Sequence, residues 1–307
     1  MKKIQVVWHQ NPDTDCTLSA IIMAEYLNNI WYEATPYILG KLNNETIYIL
    51  ETYGIQTPQL QTRLDTESET CLVDHNEVSQ SAENMPELNI TWLVDHHKMK
   101  FESDVPLNIR TEALCSTASI LYKMFREADI NITKNTAIMM LACIMSDSLM
   151  WKSPTTTDED KVIAAELQKI AEIFDLESFA MAMFDAKSDL GDISISDMIQ
   201  YDYKVFVFWT KTVGIGTLET TNPWYALGRK EEVLEGFIKL KEEQTLDMII
   251  LCVVDILNET NTTIIGDWAD ADYLSEIFNT SVEDNLADLW KRLSRKKQIV
   301  PVFQENI

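Results

Sequence analysis

Three short apolar runs in this sequence each lead into side chains that can ligate a metal ion or carry a proton. The runs and the residues that follow them are 3–8 with His9, Asp13 and Asp15, 72–73 with Asp74 and His75, and 93–94 with Asp95, His96 and His97. All four histidines of the chain lie in these segments. One histidine alone is most often a satisfied core residue, but four histidines beside carboxylates favour metal binding.

The apolar runs indicate buried strands of a parallel sheet, because such strands are covered on both faces and read as continuous hydrophobic segments. The segment between Asp74 and Asp95 is long enough for the crossover that parallel strands require. Open α/β sheets bind ligands outside the carboxyl ends of their strands, where these side chains would emerge. The sequence therefore predicts an α/β fold with a site at that edge.

Length and composition predict two domains. The chain has 307 residues, more than one hydrophobic core usually organises. The polar segment around Gly191 indicates a linker at residues 189–194, between a first domain at 1–188 and a second at 195–307. Helices are expected at residues 16–27, 138–145, 160–173 and 229–242, and further strands at 205–209, 212–218, 248–254 and 262–265. Candidate helix caps are Asp15, Ser116 or Thr117, and Thr157 or Asp158.

The net charge of −24 disfavours nucleic acid and anionic membranes as partners, since both are bound through basic patches. An anionic substrate stays compatible if metal ions and a local basic cluster reverse the potential inside a cleft. The apolar stretches are too short to span a bilayer, and the N-terminus does not resemble a signal peptide. Five cysteines without CxxC spacing indicate reduced thiols in a cytoplasmic protein.

Six side chains are the candidate metal ligands: His9, Asp13, Asp15, Asp74, His96 and Asp147. This mixture of imidazole and carboxylate suits Mn²⁺ or Co²⁺ and is too large for one structural zinc site. With one bridging carboxylate it can hold two ions about 3.5–4 Å apart, a spacing typical of phosphoryl-transfer sites. Two such ions acidify a bridging water, which supplies a hydroxide nucleophile, and they clamp the phosphoryl oxygens.

The triplet Asp95-His96-His97 resembles the signature of the DHH phosphoesterase superfamily. The wider set resembles one branch, the family II (manganese-dependent) inorganic pyrophosphatases, in order along nearly the whole chain. Its pieces are residues 9–15, Asp74-His75-Asn76-Glu77, Ser146-Asp147-Ser148, Lys152-Ser153-Pro154-Thr155, and Ser294-Arg295-Lys296-Lys297-Gln298 with Val300-Pro301. The chain departs from the family pattern at Trp8, at Cys115-Ser116-Thr117 and at residues 289–293, and none of these departures removes a ligand.

The resemblance implies a role for each candidate residue. The ligands of one metal ion would be His9, Asp13 and Asp74, and those of the other Asp15, Asp74, His96 and Asp147, so that Asp74 bridges. The groups that hold the substrate phosphates, and that form the catalytic set together with Asp74, would be His97, Lys204, Arg295 and Lys296. His75 and Glu77 would support the site without binding metal.

The same resemblance implies an N-terminal parallel-sheet DHH domain and a smaller C-terminal α/β domain (DHHA2-like), with the active site between them. The implied reaction is hydrolysis of inorganic pyrophosphate to two phosphates. Its cofactors would be two Mn²⁺ (or Co²⁺) ions per subunit, with additional Mg²⁺ arriving with the substrate. The family usually forms a homodimer through the N-terminal domain.

The residues also leave alternatives. A short-chain exopolyphosphatase is the nearest, because polyphosphate also ends in phosphoanhydride bonds, although the basic residues 294–298 favour the pyrophosphatase. Other DHH phosphoesterases cleave nucleic acids and typically carry a glycine-rich GGGH motif, which this chain lacks. A non-catalytic phosphate-binding regulator would not need to retain six ligands. The basic cluster itself is also compatible with a solvated helix end.

Overall fold

The computed structural model describes residues 1–209 and 211–306, so Thr210 and Ile307, the last residue of the predicted second domain, lie outside it. The chain forms two compact units, Met1–Ala186 and Lys187–Ile307. Each unit is built around its own six-stranded sheet. The predicted α/β class, with a parallel sheet in the first part of the chain and a second sheet after it, is confirmed.

The first sheet is parallel throughout. Its strands are β1 (Lys2–Val7), β2 (Tyr32–Ile38), β3 (Gln59–Leu60), β4 (Glu69–Val73), β5 (Asn89–Asp95) and β6 (Asn108–Thr111). Their spatial order is β3-β2-β1-β4-β5-β6, so the direction of strand addition reverses between β1 and β4. At such a switch point the connections leave the carboxyl edge in opposite directions, and the crevice between them is a common ligand site.

Helices connect and follow these strands along the chain. They are α1 (Thr14–Asn29), α2 (Asn44–Thr52), α3 (Thr117–Glu127), α4 (Lys134–Ser148), α5 (Asp158–Ala171) and α6 (Leu176–Ser188). Helix α1 packs against β1, β2 and β4, and α3 packs against β5. Helix α4 contacts α1, α3 and α5 and is buried at every position from 136 to 146, which explains its nearly unbroken apolar sequence.

Carboxyl or hydroxyl side chains cap four of these helices, α1, α3, α4 and α5. Asp13 caps α1, because its backbone is extended and its Oδ1 accepts a hydrogen bond from the Cys16 backbone N–H at 2.8 Å. Asp15, which was a candidate for this cap, lies within the first turn instead. Ser116 caps α3 and Thr157 caps α5, in agreement with the candidates from the sequence.

The second unit has a mixed sheet in the order β11-β12-β10-β9-β8-β7. Among the described strand pairs of this sheet, only β8–β9 is parallel. The strands are β7 (Tyr203–Phe208), β8 (Lys211–Thr220), β9 (Met248–Asp255), β10 (Thr260–Ile265), β11 (Val282–Glu283) and β12 (Leu286–Asp288). All eight residues of β9 are buried, so this strand forms the middle of the core.

The helices of the second unit are α7 (Ile195–Ile199), α8 (Trp224–Leu227), α9 (Lys230–Gln244), α10 (Trp268–Phe278) and α11 (Val300–Asn306). A π-helical turn, Arg295–Ile299, leads directly into α11. Phe237 of α9 and Ile199 of α7 pack in one core with Ile249 and Val253 of β9. None of the helices in the described chain has both the length and the apolar composition needed to cross a bilayer.

Candidate metal centre

The strand order of the first unit brings the six candidate ligands together. His9 follows β1, Asp74 follows β4, His96 follows β5, and Asp147 lies in the last turn of α4. Ligand atoms within 4.8 Å of one another form three groups, which are His9, Asp13, Cys16 and Asp74; Asp74, His96 and His97; and Asp15, His96 and Asp147. The separate motifs of the sequence therefore meet at one edge of the sheet.

Asp74 lies at the centre of this cluster. It is 2% exposed, and its two carboxyl oxygens face different imidazoles, with Oδ2 3.8 Å from His9 Nε2 and Oδ1 3.5 Å from His96 Nε2. Its backbone has φ +60°, a left-handed conformation that aspartate tolerates better than most residues. Its backbone N–H donates to the Val94 carbonyl at 2.9 Å, which continues the β4–β5 pairing past the strand end.

The separations around Asp74 suit ligands of shared ions. His9 Nε2 lies 3.5 Å from Asp13 Oδ2, and His96 Nε2 lies 3.7 Å from Asp147 Oδ2. These contacts are longer than a normal hydrogen bond. Two ligands that bind one ion at about 2.0–2.2 Å each are expected to stand about 3–3.5 Å apart, close to the distances found here.

Burial and like charge make the cluster unfavourable for carboxylates alone. Burial raises the pKa of Asp74 well above its ordinary value, and the neighbouring carboxylates of Asp15 and Asp13 raise it further. Burial is also the main cause of the raised pKa of Asp15, followed by the charge of Asp13. A divalent cation would offset this repulsion, so the donor set fits a metal site.

The N-terminus of α3 holds two of these carboxyl groups. Asp15 is fully buried and accepts hydrogen bonds from the Ser116 hydroxyl at 2.8 Å and the Thr117 backbone N–H at 2.7 Å. The Thr117 hydroxyl donates to Asp74 Oδ1 at 2.7 Å. Sequence reasoning considered Ser116 and Thr117 only as helix caps. One capping residue is enough at a helix N-terminus, so the second hydroxyl residue was the sequence signal for a further role.

The histidines of this edge are oriented by their second ring nitrogen. His96 Nδ1 donates to the Leu114 carbonyl at 2.9 Å, so its Nε2 faces the carboxylates as an acceptor. His75 Nδ1 donates to the Val73 carbonyl and its Nε2 lies 2.9 Å from the Ser81 hydroxyl. Burial lowers the pKa of His75 to about 4, so this ring is neutral and engaged away from the carboxylate cluster.

His97 pairs with Asp95, and its Nδ1 also lies 3.7 Å from Asp74 Oδ1. Its Nδ1 lies 2.8 Å from Asp95 Oδ1, and Asp95 Oδ2 accepts from the Asn76 side chain at 2.6 Å. Burial opposes the charge on Asp95, but its hydrogen bonds with His97 hold the pKa of Asp95 below its ordinary range. The carboxylate therefore stays ionised and fixes the orientation of the His97 ring.

Cys16 was not among the predicted site residues. Its Sγ accepts from the Asp13 backbone N–H at 3.2 Å, which completes a reciprocal cap at the start of α1. Burial, with smaller effects of Asp13 and Asp74, raises the pKa of the Cys16 thiol well above its ordinary value. The neutral thiol favours the carboxylates over this sulfur as ligands.

The predicted substrate-binding cations other than His97 belong to the second unit. Arg295 Nη1 donates to the Asp202 carbonyl at 2.6 Å and the Ile215 carbonyl at 3.2 Å, while Nη2 donates to Asp202 Oδ1 at 2.6 Å. Lys204 of β7 stands opposite Ile215 of β8, so Ile215 is a neighbour of both Lys204 and Arg295. Lys296 follows in the same π-helical turn and is exposed. Sequence reasoning did not foresee the contact with Asp202.

Comparison with known proteins agrees with this geometry. The model of the DHH family, N-terminal domain, matches residues 3–144, and the DHHA2 domain model matches residues 181–306. A probable manganese-dependent inorganic pyrophosphatase from Deinococcus radiodurans is 43% identical over 98% of both chains. The manganese-dependent inorganic pyrophosphatase of Bacillus subtilis is 38% identical over 99% of both. This chain belongs to the family of manganese-dependent inorganic pyrophosphatases.

Solved structures give the same family assignment. A putative family II inorganic pyrophosphatase from Methanococcus jannaschii superposes with a TM-score of 0.87, at 32% identity and over 99% of both chains. An exopolyphosphatase-related protein from Bacteroides fragilis has a TM-score of 0.52 at 15% identity, covering 99% of this chain and 91% of the other, which shows a shared fold alone. The resemblance inferred from the sequence is thereby confirmed.

The crowding of carboxylates predicts opposite effects of one substitution with and without metal. Asp74→Asn removes a buried charge and keeps an acceptor for Thr117, so the free energy of unfolding of the metal-free protein should rise by roughly 1–3 kcal/mol. The stabilisation that Mn²⁺ adds should shrink, because this variant loses a ligand. Thermal or urea unfolding with chelator and with Mn²⁺ measures both effects. A metal-free Asp74→Asn protein that is less stable than the metal-free wild type would contradict the repulsion argument. Glu25→Gln is the control, because Glu25 lies near the far end of α1.

Proposed function

We propose that this protein hydrolyses inorganic pyrophosphate to two phosphate ions in a manganese-dependent reaction. The observation that carries the proposal is the position of Asp74, whose two oxygens face His9 and His96 in two different ligand groups. One carboxylate so placed suits a bridge between two ions, the arrangement of many phosphoryl-transfer enzymes. The names of the curated relatives support the same reaction and the same metal.

The geometry supports a division of the ligands between two ions per subunit. One set is His9, Asp13 and Asp74, and the other is Asp15, Asp74, His96 and Asp147, to which Asp74 belongs through its contact with His96. Imidazole ligands suit Mn²⁺ or Co²⁺ better than Mg²⁺, which prefers oxygen and would arrive as an additional ion with pyrophosphate. When bound, the two ions promote ionisation of the attacking water and neutralise charge on the phosphate oxygens.

The protein's own cations hold the substrate. The ring of His97, fixed by Asp95, binds a phosphate oxygen beside the ligand cluster. Lys204, Arg295 and Lys296 of the second unit supply three further positive charges. Arg295 offers a planar fork to phosphate oxygens, and Lys296 acts as a point charge. In a protein with a net charge of −24, such local cations are needed to attract an anionic substrate.

Phosphate release tests this function directly. Chelator-treated protein is given Mn²⁺, Co²⁺ or Mg²⁺ and then pyrophosphate, tripolyphosphate or a dinucleotide. We expect rapid hydrolysis of pyrophosphate, with higher activity after Mn²⁺ or Co²⁺ than with Mg²⁺ alone, because two imidazoles are among the ligands. A strong preference for tripolyphosphate would make the protein an exopolyphosphatase. Equal activity with Mg²⁺ alone would contradict the transition-metal assignment.

Substitutions in the basic turn test the role of the second unit. Lys296→Ala should raise KM for pyrophosphate roughly 10- to 100-fold, since losing a charge-assisted contact costs about 1.5–3 kcal/mol. Arg295→Lys should be impaired as well, because an ammonium group cannot donate a planar fork. Mn²⁺ binding, measured by calorimetry, should be unchanged in both.

The control for these substitutions is Lys291→Ala. Lys291 lies in the same segment but is mostly exposed and pairs with Glu259 at 3.1 Å. We expect wild-type kinetics for this variant. If Lys296→Ala and Arg295→Lys also showed wild-type kinetics, the basic segment would be only a solvated helix end.

We further propose that the protein is a cytoplasmic homodimer that pairs through its first unit. Its five cysteines are buried free thiols, which suits a reducing compartment. Strand β6 is the last strand of the first sheet and pairs only with β5 among the described strands, and its Ile109 is 48% exposed. An edge strand with an exposed apolar residue is a natural surface for pairing with another chain.

Sedimentation velocity tests this dimer. The wild-type protein should sediment as a dimer, and Ile109→Lys should shift it toward monomer, because the charge opposes pairing along β6. Ile238→Lys is the matched control, since Ile238 is a 63% exposed isoleucine on α9 of the second unit. A dimer that Ile109→Lys leaves intact would exclude β6 as the interface, and a monomeric wild-type protein would exclude the dimer.

A further inference from the structure

A buried glutamate lies directly behind the metal ligands and belongs to none of the sequence motifs. Glu45 is in the first turn of α2 and is 0% exposed. Its Oε2 accepts hydrogen bonds from the hydroxyls of Thr14 and Ser146, each at 2.8 Å. The Thr14 hydroxyl is also 3.1 Å from that of Thr46. A carboxyl group is costly to bury, so its presence here calls for a specific role.

The two hydroxyl residues that Glu45 binds are neighbours of proposed ligands. Thr14 stands between Asp13 and Asp15, and Ser146 immediately precedes Asp147. One carboxyl group thus joins the start of α1, the start of α2 and the end of α4. A single atom, Glu45 Oε2, therefore links the segments that carry Asp15 and Asp147.

The end of α4 leads into a strained segment of the chain. The three residues that follow the helix, Leu149, Met150 and Trp151, all have left-handed backbones, with φ of +47°, +51° and +74°. Non-glycine residues adopt this conformation at a cost, so the segment that follows Asp147 is strained, although its backbone N–H groups still bond to the last turn of α4. The Ser146 hydroxyl bond to Glu45 joins this end to another element at the residue next to the ligand.

The other ligand group has anchors of its own. Asp13 is fixed by the Cys16 backbone N–H and Asp74 by the Thr117 hydroxyl, and neither contact involves Glu45. Asp15 and Asp147 share a group with His96, and both are adjacent to residues that Glu45 binds, whereas Asp13 is the one ligand of the other group with such a neighbour. The influence of Glu45 is therefore expected mainly at the ion shared by Asp15, Asp147 and His96.

We propose that Glu45 is a positioning residue that sets the separation of Asp15 and Asp147 and so tunes the affinity of the ion they share with His96. The proposal rests on the metal centre of the proposed function. Glu45 belongs to none of the ligand groups found among the described residues, so we expect it to act through Thr14 and Ser146. Supporting hydrogen bonds of this kind typically change metal affinity about 10- to 100-fold when they are removed.

Calorimetric titration of chelator-treated protein with Mn²⁺ tests the proposal without measuring activity. Glu45→Gln should weaken one of two Mn²⁺ sites roughly 10-fold or more and leave the other nearly unchanged. Ser146→Ala should weaken the same site, and combining it with Glu45→Gln should add little, because one variant removes and the other weakens the same charge-assisted hydrogen bond. Ser146→Ala, with Glu45 still bound to Thr14, also provides a test if Glu45→Gln folds poorly.

Glu25→Gln is the matched control. Glu25 of α1 accepts from the Thr136 hydroxyl of α4 at 2.8 Å, so it also joins these two helices, but at their other end. We expect this variant to keep wild-type affinity at both Mn²⁺ sites. Equal weakening in Glu25→Gln and Glu45→Gln would mean general helix docking and would overturn the proposal.

Two other outcomes are distinguishable. Wild-type affinities at both sites in Glu45→Gln and Ser146→Ala would overturn the role of Glu45 and leave the proposed function intact. A wild-type protein that binds no Mn²⁺ would contradict the proposed function itself, and the role of Glu45 with it.

Discussion

Repulsion among buried carboxylates is the constraint on which the first unit depends. Asp74 is almost wholly buried with Asp15 and Asp13 close by, and the charges of both neighbours raise its pKa further. A protein gains nothing in stability from such a cluster, since burial penalises each charge and the neighbours repel. Bound cations would offset this repulsion. The cluster therefore lowers stability in exchange for metal binding, as functional sites often do. The surrounding hydrogen bonds then serve to hold mutually repelling groups in place.

These hydrogen bonds are arranged in layers. Asp15 and Asp74 are held by Ser116 and Thr117 at the start of α3. That segment is held in turn by the buried Asp160 of α5, which accepts from the Cys115 backbone N–H and the Ser119 hydroxyl. Helix N-termini also favour negative charge, so placing α3 beside two carboxylates is electrostatically sound. Rigid support of this kind keeps ligands in place before the ion arrives.

The second unit contains the basic turn of an otherwise acidic protein. Arg295 is anchored by the carbonyls of Asp202 and Ile215, while the Asp202 carboxylate occupies its other terminal nitrogen. Two carbonyl contacts orient the guanidinium without neutralising it. The carboxylate contact is one that a phosphate could replace, because both anions suit the same donor geometry.

The sequence by itself determined the ligand types and the strands that carry them. Apolar runs that end on Asp and His are local patterns, and residues at the ends of parallel strands meet at one edge whichever strand is next to which. For that reason His9, Asp74 and His96 could be placed near one another from their positions alone. The basic segment at residues 294–298 was equally visible, as a run of cations in an acidic chain.

Only the tertiary structure decided what holds those ligands. Asp13 rather than Asp15 caps α1. Asp15 instead accepts a hydrogen bond from the backbone N–H of Thr117 in α3, 102 positions away in the chain. Glu45 gave no sequence signal, since an acidic residue in a first helical turn is ordinary. Its hydrogen bonds to Thr14 and Ser146 exist only because strand order and helix packing bring three distant segments together. Local patterns specify which groups emerge from the sheet, and long-range packing selects the partners that position them.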